Sequence, residues 1–73
     1  MRKELIFIKA KLDREIYIPY SSISRIEIFK PRQDIFKYKF LLSDGTSIEI
    51  LSEKTFEEYL KQNVIYFILE QQH

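Results

Sequence analysis

Cysteine and tryptophan are absent from this 73-residue chain, glycine occurs once, proline twice and histidine once. Each scarcity removes a class of function. Without cysteine there is neither a disulfide framework nor a thiolate metal site, so a reducing, cytoplasmic setting is expected. The one histidine, His73, is the last residue, and it reads as a terminal residue without a role. No metal centre or other cofactor is therefore expected, and no base stands ready to activate Ser21, Ser22 or Ser24 as a nucleophile. Gly45 alone cannot build a glycine-rich phosphate loop. The apolar stretch Leu5 to Ile8 ends at Lys9, far short of a signal-peptide core or a membrane span, so neither export nor a membrane partner is expected.

What is present is a folding sequence. A hydrophobic fraction of 45% with 15% aromatic residues is too rich for a disordered segment. One domain over residues 1–73 is expected, with a thin core, because a chain this short buries only about 60% of its unfolded surface. The net charge of +1 hides an asymmetry: residues 1–43 hold ten Lys and Arg against five acids, whereas residues 44–73 hold two Lys against six. Such a split suits a basic face for an acidic partner, a head-to-tail contact of two copies, or scattered solvated charge.

Hydrophobic alternation predicts five strands. Ile6, Ile8, Ala10 and Leu12 share one parity, and Asp13-Arg14 reads as a tight turn. Ile16, Ile18 and Tyr20 form a second strand, ended by the segment from Pro19 to Ser22. Ile26 and Ile28 make a third, stopping at Lys30-Pro31. Phe36, Tyr38, Phe40 and Leu42 give the strongest period of two. Asp44-Gly45 then predicts a type I′ hairpin turn leading to Ile48 and Ile50.

After the fifth strand the period changes. Thr55 and Glu58 have capping-box spacing, and Phe56, Tyr59, Leu60 and Val64 recur as on a helix. Phe67 and Ile68 extend that stripe, which predicts that the helix continues through Val64–Leu69; a sixth strand is the alternative, given the β propensity of that run. The expected fold is α+β, mainly β: a five-stranded antiparallel meander, as a twisted sheet or partly open barrel, with one C-terminal helix.

Two surfaces are candidates for function. With the even positions of the fourth strand in the core, Phe7, Tyr17, Phe29, Leu41 and Leu51, together with Leu5, fall on the opposite face. One helix cannot cover them, and extended apolar patches mark association, so a protein partner or a second copy is expected there. A second surface, Arg25, Lys30, Arg32, Lys37 and Lys39 with Phe29 and Tyr38, has the basic and aromatic groups that neutralise phosphates and stack bases. Glu27 and Asp34 interrupt it. Arg25, Arg32, Lys37, Lys39 and Tyr38 also leave open a small ribonuclease that works without histidine. The acids Glu57 and Glu58 suit the first turn of a helix, which explains them without catalysis.

Ile16-Tyr17-Ile18-Pro19, Ile23, Ile26-Glu27, Asp44-Gly45, Ile48, Ile50 and the segment from Glu53 to Leu60 together resemble the short flagellar FlbD-type proteins. They are similar also to the first half of the LytTR DNA-binding domain. The likeness covers about residues 15–61 and implies a strand, a tight bend, an I-x-x-I-E strand, a hairpin and a helix. The flagellar Pro-Asp-Thr turn is replaced here by Pro31-Arg32-Gln33-Asp34, and the Arg-x-His element of the second LytTR half has no counterpart in Tyr66 to Glu70, so no functional residue is carried over. The expected function is a small non-enzymatic protein-binding regulator or inhibitor, of the kind bacteria and their mobile elements or phages encode. A nucleic-acid-binding regulator is the alternative.

Overall fold

The computed structural model describes the backbone of residues 2–70 and the side chains of residues 3–69; His73 lies outside the described residues. The chain forms β1 (Arg2–Lys11), β2 (Glu15–Pro19), a 3-10 turn (Tyr20–Ser22), β3 (Ile23–Arg32), β4 (Ile35–Leu42), β5 (Ser47–Ser52), α1 (Phe56–Asn63) and β6 (Val64–Glu70). Every pairing is antiparallel. The expectation of a mainly β chain with one helix holds, and the arrangement differs: there are two three-stranded sheets, ordered β2-β1-β6 and β3-β4-β5, in place of one five-stranded meander.

Two local features cause the difference. The first is the bend after β2. Pro19 lacks an amide donor and leads into the 3-10 turn, so the chain leaves the first sheet and β3 starts a second one. Leu12 and Tyr20, expected within strands, lie in the connections on either side of β2. The second is the end of the helix. The Asn63 side-chain amide donates to the Tyr59 carbonyl at 2.9 Å, and the β-branched and aromatic run from Val64 onward leaves helical geometry at Val64 itself. The helix is therefore internal and not C-terminal, and Val64–Leu69 belong to a strand. β1 has ten residues while β2 offers partners only from Phe7 to Lys11. β6 pairs with the opposite edge of β1, from Arg2 to Ile8, and that partner is the tertiary demand that decides a run of ambiguous periodicity.

The helix start is as the sequence implies. Thr55 accepts from the Glu58 amide at 3.3 Å and donates its hydroxyl to the Glu58 carboxylate at 3.2 Å, with Glu57 and Glu58 in the first turn. The β4–β5 turn is not type I′. That turn needs positive φ at both central residues, and Gly45, at φ 91°, is the one described residue with positive φ. Its amide donates to the Leu42 carbonyl at 3.0 Å, closing a turn over Ser43 and Asp44, while the Leu42 amide reaches the Thr46 carbonyl at 2.8 Å. This is a turn followed by a left-handed bulge residue. The Asp44 carboxylate accepts from the Thr46 hydroxyl and amide, and those bonds hold its pKa below the ordinary value.

One core joins both sheets. Ile8, Ala10 and Ile18 of the first meet Tyr38, Phe40 and Ile50 of the second and Tyr59 of α1. Tyr38 and Phe40 are 0% exposed. The Tyr38 ring meets Phe56 edge-on at 5.2 Å and lies 5.4 Å from Tyr59. Buried phenols need partners: Tyr38 donates to the Lys54 carbonyl and Tyr59 to the Lys9 carbonyl at 2.5 Å. The second bond falls one residue beyond the last β1–β6 pair at Ile8, so the helix takes over an acceptor near the end of that ladder.

Candidate interaction surface

The first half of β1 and all of β6 form a two-stranded ribbon that reaches beyond the core. Its existence shows in the dimensions, 53 × 26 × 21 Å, and in a radius of gyration of 14.1 Å, against about 11 Å for a compact chain of this length. The accessible surface of 5859 Å² exceeds by about 1,000 Å² the roughly 4,800 Å² expected of a globular monomer of this mass.

Residues directly opposite in an antiparallel ladder share a face, so the register sorts the ribbon into two. On one face lie Leu5 opposite Phe67 and Phe7 opposite Ile65; on the other, Ile6 opposite Tyr66 and Ile8 opposite Val64. The second face continues the core row outward. Ile8 is enclosed, but two residues further out nothing covers the ladder, and Tyr66 is 51% exposed. On the first face Phe7 and Phe67 meet edge-to-face at 6.1 Å, and with Tyr17 and Ile65 they line a shallow basin of about 340 Å³. Phe67 is 50% exposed and Leu69 48%. Both faces of the ribbon are thus apolar and wet. The nearby Glu4 carboxylate, followed by desolvation, pushes the Tyr66 phenol pKa up.

The five apolar residues singled out in the sequence do not form one patch. Phe7 and Tyr17 lie on the outward face of the first sheet, whereas Phe29, Leu41 and Leu51 lie on the outward face of the second. Leu51 is 67% exposed and Phe29 about half exposed, while Leu41 is half-buried. Tyr66, Phe67, Ile68 and Leu69 of this surface were not among the candidate residues read from the sequence. Their signal was the uninterrupted apolar run Val64 to Leu69, visible once that run is read as an edge strand.

The basic group is also divided. On the outward face of the second sheet, Lys39 stands between Glu27 and Glu49 in the register. Arg25 pairs with Glu27 at 3.4 Å and Lys37 with Glu49 at 3.1 Å. Glu49, from the acidic half of the sequence, thus stands against Lys37 and Lys39 of the basic half across β4 and β5. Lys30 turns away to sit over the Phe36 ring at 5.6 Å, and Arg32 lines an open basin of about 580 Å³ with Pro31, Ile35, Lys37, Glu49 and Leu51. Tyr38 faces the core, so the histidine-free ribonuclease grouping is not assembled. Burial, and then the nearby Glu58 carboxylate, raises the Tyr38 phenol pKa; burial, and then Tyr38, raises that of Tyr59.

Among the described residues no three His, Asp or Glu side chains cluster as metal ligands, and no helix is long and apolar enough to cross a membrane. Comparison with family models, with known proteins and with solved structures finds no significant match to this chain.

Proposed function

We propose that this protein is a small non-enzymatic protein-binding regulator or inhibitor that works through the β1–β6 ribbon. The observation that carries the reading is the ribbon's apolar surface, which is solvated on both faces and sits on a molecule with about 1,000 Å² more surface than its mass requires. The exposed halves of Tyr66, Phe67 and Leu69 add nothing to the domain's own stability. Their burial against another protein is where the hydrophobic gain lies.

The test is a photoreactive amino acid placed at Phe67, with Glu53 as the control position, in the native cell. Covalent adducts with protein are expected at Phe67 and not at Glu53. Equal labelling at both positions, or none at Phe67, contradicts the reading. The nucleic-acid alternative receives less support, because three of its cations lie beside carboxylates on the same face. Were it correct, an electrophoretic shift would weaken steeply as salt rises.

A further inference from the structure

Resting on that reading of the ribbon, we infer that its partner is a second copy of this chain, added antiparallel along the free edge of β6 to join two three-stranded sheets into one six-stranded sheet. Order β2-β1-β6 leaves β6 at the edge, presenting unpaired backbone donors and acceptors. The ribbon's two edges are built differently. On the β1 side, beyond the point where β2 ends opposite Phe7, the sequence is Arg2-Lys3-Glu4-Leu5-Ile6, and its three charges are of the kind that blunt an edge against pairing. On the β6 side the residues from Val64 to Leu69 carry no charge, no proline and no glycine. An edge left that way in a soluble domain invites aggregation unless it is covered.

The β6 sequence favours itself as the cover. Paired antiparallel about Phe67, each strand sets Tyr66 against Ile68 of the second copy, Ile65 against Leu69, and the two Phe67 rings against each other. Aromatic and β-branched cross-strand pairs of this kind are the favourable ones. The strand's one charged residue, Glu70, is then roughly 20 Å along the pair from its equivalent, whereas a parallel in-register arrangement would place the two residues opposite each other. A two-fold axis makes the contact closed and self-limiting, as a dimer requires.

Sedimentation equilibrium of the full chain tests this directly. A mass of twice 8.9 kDa is expected, and Ile68→Lys should raise the dissociation constant at least tenfold while leaving the far-ultraviolet dichroism unchanged. Should that variant unfold, Tyr66→Thr, which keeps a strand-forming residue, reads the same shift. A sample mixing labelled and unlabelled chains should show intermolecular contacts between Tyr66 and Ile68. A parent that stays at 8.9 kDa at millimolar concentration, or a dimer indifferent to both substitutions, overturns the inference. The photo-adduct at Phe67 keeps the two proposals apart: an adduct with a different protein and none with a second copy overturns the self-pairing and leaves the protein-binding reading standing, whereas no adduct of either kind removes both.

Discussion

Replacing Gly45 isolates backbone strain from packing. Gly45 has φ 91°, and a Cβ built there meets no atom within 4 Å, so a side chain has room and only the left-handed backbone opposes it. That conformation costs a residue with a Cβ about 1–2 kcal/mol, and a β-branched side chain more. Gly45→Ala should therefore lower the melting temperature by roughly 5–15 °C, given about 4–8 °C per kcal/mol in a domain of this size. Gly45→Val should lower it further, a substantial part of the roughly 4–11 kcal/mol available to 73 residues. Gly45→Asn should lose less than Gly45→Ala, because asparagine tolerates positive φ. The assay is thermal melting followed by circular dichroism. If Gly45→Ala melts with the parent, the bulged turn and the six-pair β4–β5 register that depends on it are wrong.

Other substitutions probe the core and the helix. Tyr38→Phe should cost about 1 kcal/mol for the lost bond to the Lys54 carbonyl, and Tyr38→Ala about 3–5 kcal/mol through the cavity among Phe36, Phe56 and Tyr59; urea melts with a constant slope would report both. Thr55→Ala should cost about 1 kcal/mol by removing the α1 cap, detectable as faster amide exchange at Glu58. The Tyr38 and Tyr59 phenols titrate above 10.0 in the folded chain. Their contribution to stability is thus complete below about pH 10 and declines as pH rises through the folded values. Tyr59→Phe should flatten that alkaline decline in a pH series of melts, and an unchanged decline would contradict the burial of this ring.

The fold was legible wherever a period was unambiguous and local. Phe36, Tyr38, Phe40 and Leu42 announce β4 and its buried face, and Thr55 with Glu58 announces the start of α1. The parity argument also placed Phe29, Leu41 and Leu51 on an outward face correctly. It could not tell that Phe7 and Tyr17 belong to a different sheet, because parity fixes a face only within one ladder and says nothing about which ladder a strand joins. The same limit explains Val64 to Leu69. Phe67 and Ile68 fit a helical stripe as well as a strand, and what decides between them is the unpaired first half of β1, some sixty residues earlier in the chain. The charge asymmetry has the same limit: Lys37 and Glu49 stand on opposite sides of the compositional boundary yet are cross-strand neighbours.

In the dimer the outward edge of β6 is covered by a second β6. Amide hydrogen exchange resolved along Val64 to Leu69, at protein concentrations differing by about a hundredfold, measures it residue by residue. Alternate amides of this strand donate to β1, and the others point away from it. At the higher concentration both sets should be protected, and on dilution only the outward set should lose protection. An outward set that exchanges freely at every concentration would contradict it.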